Sequence, residues 1–125
     1  MLPGRCRIMV VDSHPAARML ICSHLRALGH DALTCAPDGA SALTRLKVEP
    51  IDIVFMDVGS AVSGGMEALA AIRADPALHH LPVVLITTRA ERETVEASLV
   101  LGVTGYLIKP PSAAAIGACL RRAFV

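Results

Sequence analysis

Aromatic side chains are nearly missing from this chain of 125 residues, which holds two Phe, one Tyr and no Trp. That shortage, together with the lack of a hydroxyl-rich phosphate loop after the first apolar run, argues against a carrier that stacks a flavin. Excess charge of either sign is missing too: 12 Lys and Arg face 11 Asp and Glu, for a net charge of +1. Without a basic run there is no field to gather a polyanion, so direct nucleic-acid binding is not expected. No stretch approaches the roughly 18 uninterrupted apolar residues that span a bilayer, and no basic, apolar and small-residue series marks the N-terminus for export. The expectation is a cytoplasmic chain with no membrane partner. Cys6, Cys22, Cys35 and Cys119 are scattered, with no Cys-x-x-Cys spacing for zinc or thiol exchange, and are expected to be reduced thiols filling the core. His24, His30, His79 and His80 lack the partners of a metal site.

What is present is an alternation. Apolar runs of strand length lie at Cys6 to Val11, Ala32 to Ala36, Ile51 to Met56, Pro82 to Thr87 and Gly105 to Ile108. Between and after them, apolar residues recur at helical spacing. Pro15 suits a helix first turn, and Met19, Leu20, Leu25 and Leu28 line one face before Gly29. Asp38 can cap a second helix carrying Ala42, Leu43 and Leu46, which stops before Pro50. Met66, Leu69, Ala70 and Ile72 pattern a third, ended by Asp75-Pro76, because the ring disfavours helical geometry in the residue before it. Val95, Leu99 and Val100 pattern a fourth ended by Gly102, and Ala115, Ile116, Cys119, Leu120 and Ala123 a fifth.

Runs that are apolar throughout, instead of alternating, belong to strands covered on both faces. Five such strands with helical crossovers predict an α/β, doubly wound parallel sheet of order 2-1-3-4-5, the flavodoxin-like arrangement, in a single domain spanning 1–125. Ligands of such sheets bind at the C-terminal ends of the strands. Four polar groups are predicted there: Asp12, Asp57, Thr87 and Lys109. Taken singly, each aspartate reads as a cap, Thr87 as a β-branched strand residue and Lys109 as a solvated charge. Four at one edge read as a site.

Val11-Asp12-Ser13-His14-Pro15, Phe55-Met56-Asp57, Gly65, Ile86-Thr87 and Gly105-Tyr106-Leu107-Ile108-Lys109-Pro110, in this order and at these strand ends, resemble the CheY-like receiver domains of response regulators in two-component signalling. The likeness covers essentially the whole chain, including Arg73-Ala74-Asp75-Pro76 and Leu81-Pro82-Val83-Val84. It implies a phosphoacceptor signalling domain and not an enzyme in the wider sense. Asp57 would be the phosphoacceptor, aided by Lys109 and Thr87, with a histidine kinase or phosphotransfer domain as donor and an output protein that the sequence does not name. Mg2+ would sit between Asp12, Asp57 and the backbone carbonyl of Gly59. Thr87 and Tyr106 would switch the surface of the fourth helix, fifth strand and fifth helix.

Departures from the family pattern bear on this reading. Ser13 stands where receivers usually carry a second acid, and a hydroxyl is a poor magnesium ligand, so metal affinity is expected to be weakened. Ser60-Ala61 and Gly64 replace a Met-Pro pair and a later Asp. Thr88 takes the place of a very small residue and would narrow access to Asp57. These changes keep an alternative open, a degenerate receiver acting as a phosphorylation-independent protein-interaction module. A phosphatase built on Asp-x-Asp is not supported, because Asp12-Ser13-His14 lacks the second acid. His14 is expected to be a solvent-facing loop residue.

Overall fold

Each apolar run becomes a strand in the computed structural model, which describes residues 5–59, 64–88 and 102–124. In chain order these are β1 (Ile8–Val11), α1 (Pro15–Ala27), β2 (Leu33–Ala36), α2 (Gly39–Leu46), β3 (Ile53–Asp57), α3 (Gly65–Ala74), β4 (Val83–Thr87), β5 (Gly105–Ile108) and a C-terminal helix (Ala113–Ala123). The strands form one parallel sheet of order β2-β1-β3-β4-β5, as the sequence predicted. The helix expected to carry Val95, Leu99 and Val100 lies outside the described residues.

Alternate side chains of the sheet feed two cores. Ile8, Val10, Phe55, Val84 and Ile86 meet Ile21 and Leu25 of α1 and Ile116 and Leu120 of the C-terminal helix. Met9, Val11, Val54, Met56 and Leu85 meet Ala42 and Leu46 of α2 and Ala68, Leu69 and Ile72 of α3. All residues of β1, β3 and β4 are buried, and burying one large apolar side chain contributes roughly 2 kcal/mol. The central strands are therefore the rigid platform on which their C-terminal residues sit.

Helix ends follow their local chemistry. Pro15 opens α1. At its other end the Gly29 N–H donates to the Arg26 carbonyl and the His30 N–H to the Leu25 carbonyl, both at 2.9 Å; Gly29 has φ 95°, a conformation that glycine adopts without steric cost. Asp38 caps α2 by accepting from the Ser41 N–H at 2.7 Å. Asp75 leaves helical geometry at the end of α3, ahead of Pro76. Arg73 then ties the following turn to the approach to β5: its guanidinium donates to the Leu81 carbonyl at 2.7 Å and to the Gly102 carbonyl at 2.8 Å.

At the N-terminal edge, Asp52 falls outside β3 and faces Arg7. The Arg7 backbone N–H reaches Asp52 Oδ2 at 2.8 Å, and its guanidinium reaches both carboxylate oxygens at 3.2 Å. The Arg7 guanidinium hydrogen bond holds the Asp52 carboxyl below the usual carboxylate range, against the opposing effect of burial.

Three cysteines meet the expectation of buried thiols, Cys6, Cys22 and Cys119. Cys35 does not: it is exposed, on β2, an edge strand of the sheet among the described residues.

Candidate functional site

The parallel register brings the predicted residues to one edge. Val11 pairs with Met56, so Asp12, one residue beyond β1, stands beside Asp57, the last residue of β3. Asp57 in turn pairs with Ile86, and Thr87 pairs with Ile108, which carries Lys109 to the same rim. The Lys109 N–H donates to the Thr87 carbonyl at 2.8 Å, and the Lys109–Pro110 peptide is cis.

Lys109 Nζ lies 3.0 Å from Asp12 Oδ2 and 3.3 Å from Asp57 Oδ1. One ammonium thus serves two carboxylates. Both acids are almost wholly buried, at 0% and 1% exposure, whereas the Lys109 side chain retains 23%. The backbone finishes the arrangement: the Gly59 N–H donates to Asp57 Oδ1 at 2.9 Å, and the His14 N–H donates to Asp12 Oδ1 at 2.9 Å. Among the described residues Asp12 Oδ2 has no hydrogen bond of directed geometry; its contact with Lys109 is a meeting of charges. Two carboxylates gathered in one buried pocket make a setting that a cation can stabilise, since like charges out of water repel.

The donor set fits a hard divalent ion. Carboxylate oxygens and backbone carbonyls are the ligands magnesium takes, with water completing its shell. Ligand atoms of Asp12, His14 and Asp57 lie within 4.8 Å of one another. Ser13 is exposed, and its hydroxyl lies 3.4 Å from His14 Nδ1.

Close backbone approach shapes the rim. A Cβ on Gly65 would collide with the Asp57 carbonyl oxygen and come to 2.9 Å from Val58 Cγ1, so α3 starts directly against the strand that carries Asp57. Gly39 does the same for α2, where a Cβ would strike the Gly64 carbonyl oxygen and lie 2.9 Å from the Ala68 methyl.

Other predicted residues are placed differently. Thr87 is fully buried, and its hydroxyl donates to the Thr88 carbonyl at 3.3 Å. Tyr106 is 38% exposed, outside the pocket. Thr88 is exposed. Ser60 and Ala61 lie outside the described residues. His14 is solvent-facing as expected, with 72% of its side chain exposed, yet its Nδ1 lies 3.4 Å from Asp12 Oδ1, so it borders the acidic pair. The sequence reading overlooked Arg18, whose guanidinium donates to the Asp12 carbonyl at 2.7 Å. Its position in the first turn of a helix that begins four residues after a strand end is the signal that could have found it.

Comparison with known proteins agrees with this geometry. The family described as response regulator receiver domain matches residues 8–121. The chemotaxis protein CheY-3 of Vibrio cholerae is 37% identical over 118 residues, covering 94% of this chain and 91% of that protein. The chemotaxis protein CheY of Pseudomonas aeruginosa is 36% identical over 104 residues, covering 83% of this chain and 84% of that protein. Among solved structures, the chemotaxis response regulator CheY4 of Vibrio cholerae superposes with a TM-score of 0.84 at 25% identity, covering 97% of this chain and 100% of that one. The chain belongs to the family of response-regulator receiver domains, CheY-like signalling modules of two-component systems.

Proposed function

We propose that Asp57 accepts a phosphoryl group from a phosphohistidine on a histidine kinase or phosphotransfer protein, and that the chain works in the cytoplasm as one receiver unit. The observation that carries this reading is the grip of one ammonium on two buried carboxylates, with Lys109 Nζ at 3.0 Å and 3.3 Å from Asp12 and Asp57. Phosphoryl transfer depends mostly on positioning and charge stabilisation. An Asp57 carboxylate oxygen attacks phosphorus, the phosphorus–nitrogen bond of the donor breaks, and the departing imidazole nitrogen takes a proton from water. Lys109 turns its ammonium onto a phosphoryl oxygen as charge builds there. The Gly59 N–H holds the carboxylate in place. Asp12, Asp57 and the Gly59 carbonyl would hold Mg2+, which when bound neutralises charge on the transferring group. With Ser13 in place of a second acid, that affinity is weakened.

Signal output would follow from Thr87 leaving the Thr88 carbonyl for the acyl phosphate and from exposed Tyr106 turning inward behind it, a population shift between two surfaces. The surface involved would include β5 and the C-terminal helix.

Incubation with a small phosphodonor and Mg2+, followed by intact mass measurement, tests the reading. One added phosphoryl group, absent in Asp57→Asn, is the expected result. No acyl phosphate across a wide range of magnesium would instead favour the phosphorylation-independent interaction module, a reading that Ser13 and Thr88 support.

A further inference from the structure

We infer that Cys22 and Cys35 form a reversible dithiol–disulfide pair, closed by an oxidant of the peroxide class, that joins α1 to the edge strand β2. Their sulfurs lie 3.5 Å apart. The inference is independent of the phosphoacceptor reading.

Two periodicities put these thiols together. Along β2, Leu33 and Cys35 point to one face and Thr34 and Ala36 to the other. Leu33 rests on the core that α1 covers, while Ala36 belongs to the opposite core, so Cys35 projects towards α1. Along α1, Ile21, Cys22 and Leu25 form the buried stripe, which turns Cys22 towards the sheet. A disulfide needs a sulfur separation of about 2.0 Å, so the remaining closure is a small side-chain movement. The edge strand has room for it, because β2 is only partly covered.

Burial assigns the order of events. Cys35 is exposed and open to an oxidant, while Cys22 is buried. The Cys35 thiolate attacks peroxide; the oxygen–oxygen bond breaks, sulfur is oxidised to a sulfenic acid, and the departing hydroxide takes a proton to become water. Cys22 sulfur then attacks the sulfenic sulfur, the sulfur–oxygen bond breaks, and that hydroxyl leaves as water with the proton from Cys22. Two thiols and one hydrogen peroxide thus give one disulfide and two waters. A small dithiol reverses it by exchange, becoming oxidised as the two cysteines are reduced.

Burial and the neighbouring Cys35 push the Cys22 thiol up to about 11, while Arg26 and Arg18 pull the other way. The charge of Cys35 no longer contributes once that residue is a neutral sulfenic acid, which eases the second step. Cys6 and Cys119 are buried and out of direct reach of the oxidant, and burial raises both thiols.

The test treats the folded chain with limiting hydrogen peroxide, blocks remaining thiols and maps tryptic peptides. Cys22 lies in peptide 19–26 and Cys35 in peptide 27–45. The expected product is a monomer lighter by two hydrogen masses in which these peptides are joined, with dithiothreitol restoring the original mass. In Cys35→Ser, whose exposed position tolerates the change, the link disappears and no sulfenic acid forms. In Cys22→Ser, Cys35 stops at sulfenic acid or oxidises further. No reaction, over-oxidised Cys35 without the link in the unsubstituted chain, a link between two chains, or a link to Cys6 or Cys119 would each overturn the proposal.

Discussion

At the N-terminal edge of the sheet Arg7 and Asp52 meet one to one, with side chains 46% and 20% exposed. At the C-terminal edge Asp12 and Asp57, both buried, share the ammonium of Lys109. The chemical types are the same and the arrangement differs. The first pair is matched and partly solvated, so it closes the sheet and asks for nothing more. The second gathers two carboxylates where water has little access, the setting in which a bound cation would be stabilised. Groups of like charge gathered in a buried place are a common mark of sites prepared for chemistry.

The sharpest way to break this contrast is Lys109→Met, which removes the ammonium that two buried acids share. We predict a loss of about 3 kcal/mol in metal-free buffer by denaturant unfolding, the scale for removing one partner of a buried ion pair. A loss no larger than that of a surface pair would mean that the acids are better solvated than their burial indicates.

Gly65→Ala probes the same rim through its backbone. The added methyl collides with the Asp57 carbonyl, and relieving such overpacking costs about 2 kcal/mol. Phosphodonor labelling should fall as well, because α3 can retreat only by disturbing the strand that carries Asp57. Unchanged stability and labelling would show that the close approach has no consequence.

Asp12→Asn reverses the sign. It removes one of two neighbouring buried carboxylates and so relieves like-charge repulsion; metal-free stability should rise by roughly 1 kcal/mol, while stabilisation by added Mg2+, which the unsubstituted chain should show through binding to the folded state, is lost. Equal magnesium responses in both chains would remove Asp12 from the cation site.

The smallest effect belongs to the N-terminal edge. The Asp52 carboxyl titrates lower in the folded chain than in the unfolded one, its chief cause being the Arg7 hydrogen bond. Its stabilisation is therefore complete above the unfolded value of about 3.9 and is lost as pH falls through the lower, folded value. Asp52→Asn should flatten that last part of the acid-stability curve and leave the phosphodonor reaction intact. An equally steep curve would show that other carboxylates govern the acid limb.

The sequence made the sheet and its polar C-terminal edge readable for one reason. Uniformly apolar runs identify strands buried on both faces, and a parallel sheet aligns their C-terminal ends, so Asp12, Asp57, Thr87 and Lys109 could be brought together without coordinates. Short-range chemistry was equally plain at Pro15, Asp38 and Asp75-Pro76. Contacts that depend on register across elements were not. Cys22 and Cys35 look unrelated until β2 is set beside β1 and its alternation is fixed. The reach of Arg18 to the Asp12 carbonyl and the span of Arg73 to Gly102 depend on side-chain directions that no periodicity specifies. Gly65 was noticed as part of a motif, but its physical reason, the Asp57 carbonyl against its α-carbon, is a matter of three-dimensional proximity.

The central proposal is that Asp12, Asp57 and Lys109 form one pocket that takes a divalent cation and a phosphoryl group together. Titration with beryllofluoride, a phosphoryl mimic, in the presence and absence of Mg2+, read by backbone chemical shifts, tests it most directly. The account predicts magnesium-dependent shifts that reach Asp57, Thr87, Tyr106 and Lys109 and vanish in Asp57→Asn. Shifts that ignore magnesium, or a spectrum that does not change at these residues, would contradict it.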